Sequence, residues 1–122
     1  MSPLEVQVKD LPASAATVAG KQPAPTVVVN VIGEALVDLE PMVITLQSVA
    51  DRHPAKVILD LHDLSFISSL AMGVMLAFRR GILANGGKLK VAAMQKLVLD
   101  SFKRARLDKV FEIVDTLEAA IR

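Results

Sequence analysis

The sequence predicts an α/β domain in which a mixed sheet of about five strands packs with about four helices. Three features predict it. The runs Thr26–Ile32, Val57–Leu61 and Leu89–Ala93 are almost wholly apolar on both faces, as expected of interior strands covered by helices. The segments after them show apolar residues at helical spacing, ended by Gly or polar residues. Two opening strands precede this alternation, which calls for parallel pairings joined by right-handed helical crossovers.

The elements follow in order. Leu4, Val6 and Val8 alternate with Glu5, Gln7 and Lys9, the pattern of a half-exposed strand at a sheet edge. Residues 10–25 are rich in Ala, Pro, Ser and Gly without an apolar period and read as a long loop. Thr26–Ile32 is a central strand, interrupted only by Asn30 and ended by Gly33. Asp38–Arg52 is a helix with Met42, Val43, Leu46, Val49 and Ala50 on one stripe; Asp38 or Glu40 can act at its start, where Pro41 is tolerated. Val57–Leu61 is a buried strand.

Leu70–Ala84 is a second helix, stopped by Asn85-Gly86-Gly87. Leu89–Ala93 is a strand, and Gln95–Arg106 a helix directing Leu97, Val98, Phe102 and Ala105 to the core. A short strand, Val110–Ile113, precedes a last helix capped by Thr116 and holding Leu117, Ala120 and Ile121.

At 122 residues and 52% hydrophobic, residues 1–122 have material for one core and one domain. The formal charge of +1 and the lack of a dense basic stripe argue against a nucleic-acid partner. With no cysteine there is no disulfide or thiol chemistry. The amino terminus lacks the basic start and apolar run of a signal peptide, and the longest apolar stretch, Leu70 to Phe78, is far short of the ~20 residues that span a bilayer. A cytoplasmic domain without membrane insertion is expected.

Nothing points to an enzyme or a cofactor. His53 and His62 lie in different segments, and no Ser–His–acid pattern, glycine-rich phosphate loop or paired-carboxylate motif is present. Asp60, His62 and Asp63 superficially offer metal ligands, but on an extended strand Asp60 and His62 share a face while Asp63 turns away, and no local third nitrogen or sulfur ligand exists, so no metal is expected. The informative stretch is Asp60 to Gly73: a buried strand leaves the core, turns, and passes through an exposed loop, Ser65–Ser69, that delivers Ser68 and Ser69 to the start of an apolar helix. A hydroxyl there caps the helix, and a phosphate added there meets unpaired N–H groups and partial positive charge. The helix itself leaves two readings open: Met72, Met75 and Phe78 cannot all share one core direction with Leu70, Val74 and Leu76, so either it is fully buried or part of it is a docking patch.

From about Thr26 to Ile121 the chain resembles the STAS domain, the fold of bacterial anti-sigma factor antagonists. The residues that carry the resemblance are Gly33-Glu34, Val57-Ile58-Leu59-Asp60-Leu61 leading into Leu64-Ser65-Phe66-Ile67, Gly73-Val74-Met75-Leu76, Gly86-Gly87-Lys88-Leu89, and Arg106-Leu107-Asp108-Lys109-Val110-Phe111. The resemblance implies regulation of transcription without catalysis: the antagonist binds an anti-sigma factor that is also a serine kinase, is phosphorylated by it, and dissociates until a phosphatase resets it. The family's switch loop reads Asp-Ser-Ser-Gly with the second serine as acceptor. Placed without gaps, Ser68 falls at the Asp, Ser69 at the first serine, Leu70 at the acceptor and Ala71 at the glycine. The family's Gly-Glu-Leu-Asp becomes Gly33-Glu34-Ala35-Leu36, with Asp38 two places later.

The resemblance therefore implies Ser69, then Ser68, as phosphorylation candidates, and a partner-binding surface of Ser68, Ser69, Leu70, Ala71, Met72 and Met75 with Gly33, Glu34 and Asp38 beside it. It implies an anti-sigma factor/serine kinase as partner, or else another STAS-binding protein in a signalling scaffold or transporter complex. At most weak self-association is expected.

Overall fold

The computed structural model describes residues 4–11 and 26–121, so most of the loop expected over residues 10–25 lies outside the described residues. Among those described, six strands and four α-helices follow one another as β1 (Glu5–Leu11), β2 (Thr26–Ala35), α1 (Glu40–Asp51), β3 (Lys56–Asp60), β4 (Leu64–Ile67), α2 (Ser69–Ala84), β5 (Lys88–Ala92), α3 (Lys96–Arg104), β6 (Glu112–Val114) and α4 (Leu117–Ile121). The sheet order is β1-β2-β3-β5-β6, with β1 antiparallel to β2 and the other neighbours parallel. β4 lies off this path and pairs in parallel with the far end of β2.

The period-2 rule explains the two faces of the sheet. Val27, Val29 and Val31 of β2, Val57 and Leu59 of β3, and Leu89 and Val91 of β5 point to one side. There they join Met42, Leu46 and Val49 of α1, five side chains of α2, and Val98 and Phe102 of α3 in the main core. Phe102 meets Phe111 at a ring separation of 5.5 Å, closing the end of this core under a 3-10 turn at Leu107–Lys109. Among the described residues the opposite face is thinner: Val28, Ile58 and Ala92 are joined by buried Ala120 of α4, with Leu11, Ala93, Val114 and Leu117 partly buried against them.

Several expected boundaries move for local reasons. β4 occupies residues expected to be loop, because Gly33 and its neighbours extend β2 far enough to give Leu64–Ile67 a partner. The fourth strand on the main path, β5, ends at Ala92 because Ala93 turns into the left-handed region (φ 62°), and α3 ends before Arg106 for the same reason (φ 61°). Val110 belongs to the turn and Phe111 to the core, so β6 begins only at Glu112.

Core assignments shift as well. α1 starts at Glu40 after Leu39, with no side-chain cap, so neither Asp38 nor Glu40 caps it; Glu40 lies in the first turn as a favourable charge. Val43, Leu97, Ala105 and Ile121, expected towards the core, are exposed, whereas Val98, Phe102 and Ala120 are buried. Thr116 does cap α4, its Oγ1 accepting from the Ala119 N–H at 3.1 Å.

Candidate functional site

The start of α2 is built by Ser68. Its backbone is extended (φ −88°, ψ 165°) and its Oγ accepts from the Ala71 N–H at 3.1 Å, which satisfies one of the unpaired donors of the first turn. The same hydroxyl donates to the Leu36 carbonyl at 2.6 Å, and the Ser68 N–H donates to the Ala35 carbonyl at 2.8 Å. One residue thus welds the start of α2 to the loop leaving β2.

β4 completes the weld. Gly33 pairs with Leu64, Glu34 with Phe66 and Ala35 with Ile67, and a bulge falls between Gly33 and Glu34. Gly33 takes φ 102°, a conformation other residues adopt only with strain, and its N–H reaches the Asp63 carbonyl at 3.0 Å. Ser65 Oγ donates to the Gly33 carbonyl at 3.1 Å. Gly33, Glu34 and the serines are therefore gathered by β4, an element the sequence did not disclose, rather than by β3 directly.

Of the nine residues expected at a partner surface, the structure divides the set. Ser69 and Asp38 are exposed, Leu70 is 60% exposed, and Ser68 and Glu34 are half-buried. Ala71, Met72, Met75 and Gly33 are buried; α2 turns Ala71, Met72, Met75, Phe78 and Ile82 inward on one stripe. The opposite stripe is Leu70, Gly73, Ala77 and Arg80, all exposed. The fully buried reading of this helix does not hold: Met72 and Met75 are core, but an exposed stripe opens with Leu70.

Sequence reasoning missed two further exposed apolar residues on the segments that adjoin Ser68. Val37 is 82% exposed in the loop tied to Ser68, and Phe66 is 39% exposed on β4, two residues before Ser68. As a strand, Leu64-Ser65-Phe66-Ile67 buries its two ends and exposes Ser65 and Phe66. Strict alternation would have put Phe66 on the face of buried Leu64; the register break between the Gly33–Leu64 and Glu34–Phe66 pairs is what turns both Ser65 and Phe66 outward.

Beside this surface the turn from β3 to β4 is held by His62. Its Nδ1 lies 2.8 Å from Asp60 Oδ1 and its Nε2 2.9 Å from Asp63 Oδ2, because the turn brings Asp63 back to the ring instead of away from it. Asp60 is buried and also accepts from the His62 N–H at 3.2 Å and from Asn30 Nδ2 at 3.4 Å. The hydrogen bond to Asp60 raises the imidazole pKa above its usual value; burial opposes this, and the charges of Asp60 and then Asp63 add to it. Gln95 Nε2 donates to the His62 carbonyl at 2.9 Å, fastening the turn to the residue before α3. Both ring nitrogens face carboxylates, so the cluster is an internal clamp. Among the described residues no group of three or more His, Cys, Asp or Glu could hold a metal ion, and no helix is long and apolar enough to cross a membrane.

Comparison with known proteins adds a family and a set of folds. The STAS domain profile matches residues 19–120. An anti-sigma factor antagonist from Mycobacterium paratuberculosis superposes with a TM-score of 0.80 at 21% identity, covering 98% of this chain and 92% of that one. The Bacillus cell fate determinant SpoIIAA in its phosphorylated form gives 0.66 at 19% identity, covering 95% and 96%. A putative antagonist from Thermotoga maritima gives 0.66 at 22% identity, covering 77% and 84%. At these identities the likenesses establish the fold.

Proposed function

The chain belongs to the STAS domain family, and from that premise we propose that it is an anti-sigma factor antagonist-like regulator, a single cytoplasmic domain that works by binding rather than by catalysis. Its partner is an anti-sigma factor/serine kinase, gripped at the start of α2. The observation that carries this reading is Leu70, 60% exposed in the first turn of a helix whose stripe Ala71, Met72, Met75, Phe78 and Ile82 is buried; the helix's other exposed large apolar residue, Leu83, lies at its far end. Val37 and Phe66, exposed on the two segments adjoining Ser68, widen the apolar surface around it. An apolar cluster on an ordered tip is what a docking partner desolvates. Glu34 and Asp38 supply a polar rim.

The acceptor position of the family's loop holds Leu70, so the phosphate falls on Ser69 if the switch operates. Ser69 is exposed at the first position of α2, whereas Ser68 has committed its hydroxyl as both donor and acceptor. A phosphate on Ser69 adds negative charge beside the positive end of the helix, so the fold tolerates it while the apolar partner surface does not. The missing hydroxyl at Leu70 favours one other reading, an adaptor in a signalling scaffold or transporter complex that needs no switch.

The test pairs binding with phosphorylation. Leu70→Asp weakens binding to the cognate anti-sigma kinase by about tenfold or more, as expected for a charge placed in an apolar contact; unchanged affinity would sink the surface. Intact mass after incubation with that kinase and ATP gains one phosphate that Ser69→Ala removes. Tight binding with no phosphate gained assigns the unswitched form, and Leu70→Ser then restores an acceptor.

A further inference from the structure

β1 is the outer strand of the sheet, and among the described residues nothing pairs with its free edge. All seven residues of β1 pair with β2, and the backbone groups that point the other way, on alternate residues, form a template for another strand unless something blocks it. Asp10 is held within the chain by Arg52 at 2.7 Å, but Glu5, Gln7, Val8 and Lys9 are exposed. From these residues we infer that β1 is a self-complementary edge on which a second copy of this chain docks, antiparallel and centred on Gln7.

The register follows from symmetry. A two-fold axis normal to the sheet keeps the same face up in both copies, so only residues of the same parity stand opposite each other. Centred on Gln7, Glu5 meets the second copy's Lys9 twice on one face, and Val6 meets Val8 twice on the other. Centred on Val8, Lys9 faces Gln7 and Val6 faces Asp10; centred on Val6, Glu5 faces Gln7. Only the Gln7 register neutralises both charges and covers Val8, which is 41% exposed in the single chain. The valine face is also the face on which Val6 packs against the main core, so the two cores become continuous across the joint. Charges on an edge strand ordinarily repel intruding strands; here one of each sign, two places either side of the centre, admits a second copy of the same sequence.

A strand edge buries far less than the ~1,600 Å² of a standard interface, so the dimer forms only at high protein concentration. Sedimentation equilibrium of the full chain up to about 1 mM reads it. Glu5→Lys or Lys9→Glu alone places like charges opposite each other twice and raises the dimer dissociation constant roughly tenfold or more. Mixing the two single variants in equal amounts sets lysine against glutamate at both charged pairs of the heterodimer and restores near wild-type affinity. The double variant does the same with itself, and each variant thereby reports that the other is folded. A chain monomeric throughout, a dimer indifferent to both reversals, or a mixture no tighter than either variant overturns the inference. This surface is separate from the start of α2, so its failure leaves the partner reading untouched.

Discussion

Ser68 and His62 are the two side chains that make the site rigid, and each makes a measurable prediction. Ser68 Oγ closes the first turn of α2 and holds the Leu36 carbonyl, so Ser68→Ala leaves the Ala71 N–H and that carbonyl without their partner. The expected loss is about 1–2 kcal/mol from urea midpoints, the upper range for a cap. Ser69→Ala, on an exposed residue, stays within ~0.5 kcal/mol; a larger effect at Ser69 than at Ser68 would reverse their roles. His62 carries a sign. Its folded pKa is raised above the ordinary value of 6.5, mainly by the Asp60 hydrogen bond, so protonation favours the folded chain. That contribution is fully present below the unfolded value and is lost as pH rises through the folded one. Its ring is half exposed, and the effect is correspondingly screened. Between about pH 6 and about pH 8.5 the wild type should lose more stability than His62→Asn, measured by urea midpoint; equal losses would show that the clamp is not the origin.

At the level of elements, Gly33 decides where β4 can lie. Its φ of 102° and the bulge beside it let β2 run on to Ala35 while Leu64–Ile67 pairs against it. Gly33→Ala forces a side chain into a strained conformation on a buried backbone, at a cost of about 1–3 kcal/mol. Because β4 carries Phe66 and leads into Ser68, hydrogen exchange should quicken first at Leu64 and Ser68 rather than at β3; uniform loss of protection would contradict it. The order of main-path strands and helices was legible in the sequence, since Val27-Val28-Val29 and Val57-Ile58-Leu59 carry an unmistakable interior pattern. β4 was not, because a four-residue strand is fixed by a distant bulge and not by its own composition. The faces of α2 were not resolved from sequence, because apolar residues run almost unbroken from Leu70 to Phe78; the structure puts Leu70, Gly73, Ala77 and Arg80 outward and Met72, Met75 and Phe78 inward. Leu97 of α3 was misread because an apolar residue beside a buried Val98 gives no sign of which side the helix turns.

As a whole, the described residues form a sheet with a thick side and a thin side, and this asymmetry separates folding from binding. The main core, shared with α1 and α3, backs α2, whereas among the described residues a helix of five residues covers Val28, Ile58 and Ala92. Lys56 Nζ donates to the Ile121 carbonyl at 3.1 Å, one further hold on that helix, and the same amine is kept below its usual pKa by burial and by Lys90. Ala120→Asp places a carboxylate against the apolar patch of the thin side. The cost is limited to what is lost when α4 undocks, roughly 2–3 kcal/mol, so the chain melts earlier yet keeps its α2 surface. Leu70→Asp changes an exposed side chain and leaves the melting temperature within about 2 °C, as expected for a shift of ~0.5 kcal/mol or less in a chain this size. Partner affinity measured well below both melting transitions should therefore fall for Leu70→Asp and hold for Ala120→Asp. If Ala120→Asp weakened binding as much as Leu70→Asp at a temperature where both are folded, the two sides of the sheet would be coupled, and the start of α2 could no longer be treated as a platform independent of α4.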